Sequence, residues 1–98
     1  WSVPGCVDGW EMLRSRFGSK SFEDILAPAI NYAEEGFPLV ELIGAFWQVS
    51  TPSLAKLPDT KRTFLPDGKM PRVGQTIRNP FQAATLKLVA AEGRDAYY

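Results

Sequence analysis

Between Ser21 and Phe37 the chain reads SFEDILAPAINYAEEGF, and this stretch narrows the possible folds more than any other. Ser21 offers a hydroxyl to the free amides of a first helical turn, and Asp24 adds a carboxylate where the helix dipole favours one. Phe22, Ile25, Leu26, Ala29, Ile30 and Ala33 recur at helical spacing and lay an apolar stripe along one side. Pro28 interrupts the run. Inside a helix a proline removes a hydrogen bond and clashes with the preceding turn, at ~3 kcal/mol. The spacing therefore predicts a short helix ending near Leu26 and a second helix with Pro28 in its first turn. Gly36 is expected to close that second helix in a left-handed conformation, with Phe37 folding back onto its last turn. These are instructions for packing and carry no chemistry of their own.

With 98 residues the chain is one domain or part of one. A chain of this size buries somewhat more than ~60% of the surface its unfolded form exposes, enough for one modest core. Eleven basic and eleven acidic side chains cancel, so the global charge does not argue for nucleic acid or an anionic membrane as partner. The placement is uneven: residues 1–55 carry three basic and seven acidic groups, residues 56–98 eight and four. The halves could face each other or different partners, and solvated surface is the preferred reading of this asymmetry. Cys6 is the only cysteine and there is no histidine, which excludes an internal disulfide, a two-cysteine metal site and histidine-based triads or zinc ligation within these residues. No apolar run approaches the ~20 residues that span a bilayer, and no basic-then-apolar leader opens the chain. The start at Trp1 and the stop at Tyr97-Tyr98 lead us to expect that both ends are cut from something longer.

On either side of the central stretch the pattern is again helical. Val3 before Pro4 is extended, and Gly5 is expected to turn the chain with a positive φ. A helix is predicted over Val7–Phe17, with Trp10, Leu13, Arg14 and Phe17 along one side and Gly18 ending it. Asp8 and Glu11 in its first turn complement the dipole; as an acid–base pair they would approach a substrate from one side only. Cys6 near a helix start has a lowered thiol pKa as one reading, but without a histidine base it is read as a small residue beside a tight turn. Pro38 suits the first turn of a further helix, whose Leu39, Leu42, Ile43, Phe46 and Trp47 form a wide apolar face. Gly44 is expected to mark a close contact with a neighbouring helix, and Thr51-Pro52 to end or bend this one. The Phe46-Trp47 pair is read as core in preference to a ligand pocket.

Residues 58–79 are rich in proline, glycine and basic side chains. Thr63-Phe64-Leu65 is predicted as a short strand, Pro66-Asp67-Gly68 as a turn, and Thr76-Ile77 as a second extended piece. Gly68 and Gly74 lack the spacing and the following Lys-Ser/Thr of a phosphate-binding loop, and one aromatic, Phe64, gives poor support for base stacking. Asn79 as N-cap, Pro80 at the first helical position and Gln82 in a capping box then start a last clear helix. Phe81, Ala84, Leu88 and Ala91 are expected to line its buried side, with Gly93 closing it and Asp95 beginning a further turn.

These stretches resemble the large subunit of the gamma-glutamyltranspeptidases, members of the N-terminal nucleophile hydrolases. The matching pieces are Val3-Pro4-Gly5 with Val7 and Gly9, and Pro28-Ala29-Ile30 with Ala33-Glu34 and Gly36-Phe37. They continue with Phe64-Leu65-Pro66-Asp67-Gly68, Pro71 and Gly74, then Asn79-Pro80, Ala84, Thr85-Leu86, Ala90, Gly93-Arg94-Asp95 and Tyr97. Each motif alone is weak, but four in family order at about family spacing are strong. The resemblance implies a mainly α fragment, about four to five helices plus short extended pieces, of an αββα fold: residues 1–98 as a single partial domain of the large subunit.

It also implies a parent that cuts itself in two and attacks the γ-glutamyl amide of glutathione with a threonine exposed at the start of the small subunit. The acyl group then passes to water or to an amino-acid or peptide acceptor. That threonine belongs to a Thr-Thr-His or Thr-Ser-His motif, which this chain lacks. Thr51, Thr60, Thr63, Thr76 and Thr85 are internal. The family's carboxylate-gripping arginine lies upstream of the Val-Pro-Gly piece, so neither Arg14 nor Arg16 inherits the role. No catalytic, substrate-binding, cofactor-binding or metal residue is therefore assigned, and no cofactor. The expected partners are the remainder of the large subunit, the small catalytic subunit and, in the parent, a γ-glutamyl small molecule; nucleic acid is not among them. A periplasmic, secreted or cell-surface location is implied by the resemblance. A segment of this kind supports the cleft from outside, so in isolation it should expose apolar surface and be marginally stable. A self-contained helical interaction module and a part of a related glutaryl or cephalosporin acylase stay open beside it.

Overall fold

The computed structural model describes residues 2–98. Among them the order of elements is α1 (Cys6–Phe17), α2 (Phe22–Glu35), β1 (Phe37–Pro38), α3 (Glu41–Leu54), α4 (Pro58–Phe64), β2 (Thr76–Ile77), α5 (Pro80–Glu92) and α6 (Arg94–Tyr97). The centre is the pair α2 and α5, with Phe22, Leu26, Leu86 and Val89 buried together and Val7 of α1 closing the cluster. Ser21 caps α2 as expected: its Oγ accepts from the Asp24 amide at 3.1 Å and donates to the Asp24 carboxylate at 2.9 Å.

Pro28, however, does not divide the stretch, because α2 runs through it as one helix. Asp24, whose carbonyl loses its amide donor, and Pro28 itself are both exposed, so water can take the place of the missing bond. Phe22 and Leu26 before the proline and Ala33 after it are buried. Large apolar side chains contribute ~1.5–3 kcal/mol each when buried, which together offsets the proline penalty. Helix α3 likewise continues through Thr51-Pro52, to end at Leu54. Gln48, the residue four before Pro52, is exposed.

Gly36 takes a positive φ of 90°, and its amide donates to the Tyr32 carbonyl at 3.0 Å. The chain then enters a short antiparallel ladder in which Phe37 faces Ile77 and Pro38 faces Thr76. Phe37 lines a common space with Tyr32 and Ala33 of α2, and Pro38 precedes α3 without joining it. The ladder is extended by Leu39, whose amide donates to the Gln75 carbonyl at 2.9 Å and whose carbonyl accepts from Gly74 at 2.7 Å. These bonds hold Leu39 at 1% exposure, and the main-chain pairing outcompetes an earlier helix start. A Cβ at Gly36 would lie 2.5 Å from the Thr76 methyl and 2.7 Å from the Ile77 carbonyl. Glycine is required there by conformation and by space alike.

Thr63 and Phe64 lie in α4, and Leu65 follows its end, so the predicted strand is absent. Pro58 at the helix start and the Thr63 hydroxyl bonded to the Asp59 carbonyl at 2.8 Å favour the helix over an unpaired strand. Pro66–Gly68 forms the expected turn, with Gly68 at φ 73° and Asp67 also left-handed at φ 56°. Asn79 caps α5 by accepting the Gln82 amide at 3.0 Å. The Asn79 amide goes to the Ala33 carbonyl at 2.8 Å, so a link to α2 stands where a reciprocal capping-box bond was expected.

The buried side of α5 is Ala83, Leu86 and Val89 rather than Phe81, Ala84, Leu88 and Ala91. This helix is apolar on more than one face, so spacing alone does not choose between them. Gly5 (φ −88°) and Gly18 (φ −87°) need no left-handed backbone. The close neighbour of Gly44 is the loop residue Val73, 3.1 Å from an added Cβ, and not a helix.

Much of the apolar pattern faces outward. Trp10, Leu13 and Phe17 of α1 are exposed, as are Leu42, Ile43, Phe46 and Val49 of α3. The accessible surface of 7464 Å² exceeds the roughly 5,600 Å² typical of a folded monomer of this mass. The radius of gyration, 15.6 Å, exceeds the roughly 12.6 Å usual at this length.

Candidate functional site

The residues weighed for chemistry are dispersed, and each has a structural role or stands alone. Cys6 is exposed at the first turn of α1. Glu11 pairs with Arg14 of the same helix at 2.8 Å, and that guanidinium stacks 4.9 Å from the Phe22 ring centre. Asp8 pairs instead with Arg94, far away in sequence. The Thr51, Thr63 and Thr85 hydroxyls each donate to the carbonyl four residues earlier, an arrangement common for helical threonines. No group of three or more acidic, cysteine or histidine side chains that could hold a metal occurs among the described residues.

Two of the four motifs that carried the family resemblance meet at one place. The Tyr98 hydroxyl donates to the Pro4 carbonyl at 2.7 Å and accepts from the Asp8 amide at 3.3 Å. Arg94 bridges the Asp8 and Asp95 carboxylates and lies 5.4 Å from the Tyr98 ring centre. Its hydrogen bond to Asp8, followed by that to Asp95, holds the guanidinium pKa above the ordinary arginine value. The site binds α1 to α6 and offers no nucleophile. The fourth motif also meets the second, where the Asn79 amide reaches the Ala33 carbonyl, and Gly36 of the second packs against β2. The motif residues serve backbone turns and inter-element bonds, a role that spacing in the sequence did not reveal.

A space with mixed lining lies between α2, the α3–α4 pair, the ladder and α5, with a volume of about 470 Å³. Tyr32, Phe37, Trp47, Phe64 and Leu86 give it apolar walls; Arg78, Asn79 and Gln82 give it polar ones. Trp47 packs edge-on against Phe64, with ring centres 5.7 Å apart, while its indole Nε1 is buried without a hydrogen-bond partner. Phe46, expected in the core beside it, points to the surface at 65% exposure. Arg78 donates through Nε to the Glu35 carbonyl at 3.0 Å and forms no ion pair among the described residues.

The sequence model described as gamma-glutamyltranspeptidase matches residues 1–98. The chain is 37% identical over 97 residues to the acylase ACY 1 proenzyme of Pseudomonas sp. strain SE83, covering 99% of this chain and 17% of that protein. It is 35% identical over 97 residues to the glutathione hydrolase-like YwrD proenzyme of Bacillus subtilis, covering 99% of this chain and 18% of that one. The chain thus spans about a sixth of the length of these relatives. In fold it superposes on Helicobacter pylori gamma-glutamyltranspeptidase with a TM-score of 0.94, over 99% of this chain and 28% of that one, at 23% identity. The mainly helical architecture is that of the matched part of this neighbour. With its whole length matched in sequence, the chain belongs to the gamma-glutamyltranspeptidase family.

Proposed function

We propose that these residues are a helical segment of the large subunit of an enzyme that cleaves the γ-glutamyl amide bond of glutathione and related compounds. The γ-glutamyl group passes to water or to an amino-acid or peptide acceptor. The segment is a single partial domain, residues 1–98. It supports the cleft and supplies neither nucleophile nor substrate-gripping residue. The observation that carries this reading is the family match along all 98 residues. The surplus accessible surface and the outward apolar faces of α1 and α3 support it, since both suit a lobe that packs on a larger body. Its partners are the remainder of the large subunit and the small catalytic subunit, in keeping with relatives named as proenzymes. A periplasmic, secreted or cell-surface location goes with this reading; none of the described helices is long and apolar enough to cross a membrane.

A related acylase acting on glutaryl or cephalosporin side chains is the second reading, favoured by the 37% identity to the acylase ACY 1 proenzyme. Both are tested by following the natural gene product with an antibody to this segment. A larger precursor processed to two chains, the second beginning at threonine, is the expected result. A stable product near 10.9 kDa would overturn it in favour of a self-contained interaction module. Purified two-chain protein offered a γ-glutamyl anilide and a glutaryl amide then separates the two enzyme readings.

A further inference from the structure

We infer that α1 is a flap that opens and closes independently of the α2–α5 pair, and that Tyr98 and Arg94 are the residues that fasten it. A helix begins with four backbone N–H groups that no carbonyl of the same helix can reach. Gly5 stands at the N-cap of α1 and has no side chain to offer them. The Tyr98 hydroxyl takes that place from across the fold. It accepts from the Asp8 amide at 3.3 Å and donates to the Pro4 carbonyl at 2.7 Å, one contact on either side of Gly5. Arg94 adds an ionic arm: it pairs with the Asp8 carboxylate while its Nη1 lies 2.6 Å from Asp95. Among the described residues little else holds α1. Val7 is its one buried residue, and Arg14 lies 4.9 Å from the Phe22 ring centre. Trp10, Leu13 and Phe17 are exposed. An element with few buried apolar side chains opens at low free energy while a packed core stays shut. A cap supplied by another element therefore decides whether α1 is closed. The inference stands on these contacts and does not rest on the acyl-transfer reading.

The test is amide hydrogen exchange of the full natural protein, read by mass spectrometry on peptides from α1, α2 and α5. In the unmodified protein the amides of residues 10–17 should exchange about tenfold or more faster than those of residues 86–89, which lie in the packed pair. Tyr98→Phe keeps the ring and removes the hydroxyl. It should accelerate exchange in α1 by about fivefold, the equivalent of one N-cap or one net hydrogen bond, and leave α2 and α5 unchanged. Arg94→Gln should accelerate α1 by about twofold, the scale of an exposed ion pair. Equal protection of α1 and α5 in the unmodified protein, as when another part of the protein packs over α1, would overturn the inference whatever any variant does. Acceleration of α2 and α5 as large as that of α1 would also overturn it, by making all three helices one cooperative body. So would unchanged exchange in α1 when both variants are folded by circular dichroism. None of these outcomes bears on precursor processing, so this inference and the proposed function fail separately.

Discussion

Helices α2, α5 and α3 are each at least half apolar in sequence, yet the α2–α5 pair and the α3–α4 pair end in opposite states. In the first, Phe22, Leu26, Ala33, Ala83, Leu86 and Val89 are buried and both helices have side-chain N-caps, Ser21 and Asn79. In the second, residues 42–55 contain no charged side chain, yet Gly44 is the only buried residue of α3 and α4 has none. Neither α3 nor α4 has a side-chain cap. A helix apolar on most sides is stable when it is covered. The contrast separates a region that packs on itself from a region whose sequence presumes a neighbour.

Leu26→Ala would test the packed half most severely. Leu26 is 7% exposed and touches the shared cluster, and large-to-small core changes of this type cost ~2–5 kcal/mol. Denaturant unfolding of the protein should show a loss in that range; a loss within ~0.5 kcal/mol, the scale of surface substitutions, would mean that α2–α5 is not the stable unit. Gly36→Ala should follow at about 2–3 kcal/mol, because an alanine there carries backbone strain of ~1–3 kcal/mol and its Cβ meets the Thr76 methyl and the Ile77 carbonyl. If thermal melts show no loss, the ladder does not hold α2 to the rest.

These two positions differ in how far the sequence disclosed them. Gly36 and the caps Ser21 and Asn79 depend on local backbone chemistry, and local pattern is sufficient for them. The proline within α2 misled for the opposite reason: the local penalty was right, but burial at Phe22 and Leu26 on the same helix outweighed it. Two segments, 37–39 and 74–77, pair over nearly forty residues of chain. Nothing in either one's periodicity names the other, so the placement of Pro38 in a ladder ahead of α3 was not legible. For α5 the trouble was excess, since an apolar helix offers several faces and only the position of α2 selects Ala83, Leu86 and Val89. The space beside Trp47 was hidden in the same way, because six separate elements build it.

Asn79→Ala gives a smaller and more specific effect. Its side chain accepts the Gln82 amide, and removing an N-cap of this kind costs ~1 kcal/mol. The backbone bond from Asn79 to Ala33 survives the change, so the loss should be confined to the start of α5. Hydrogen exchange of the first-turn amides, read beside a denaturant melt, checks this. Exchange accelerated equally in α2 would show that cap and inter-helix link act as one unit.

Phe46→Asp probes the uncovered half, and its smallest expected effect on stability is the informative one. Phe46 is 65% exposed, so within the isolated 98 residues a substitution there should move the unfolding free energy by no more than ~0.5 kcal/mol. The same change should lower self-association of the isolated chain, because it places a charge in the middle of the apolar run on α3. In the longer enzyme proposed above, the outcome reverses if α3 is covered. A buried unpaired carboxylate would then cost several kcal/mol, visible as loss of folded protein. A substitution neutral in both settings would mean that α3 stays uncovered, and that its lack of charge has some cause other than packing.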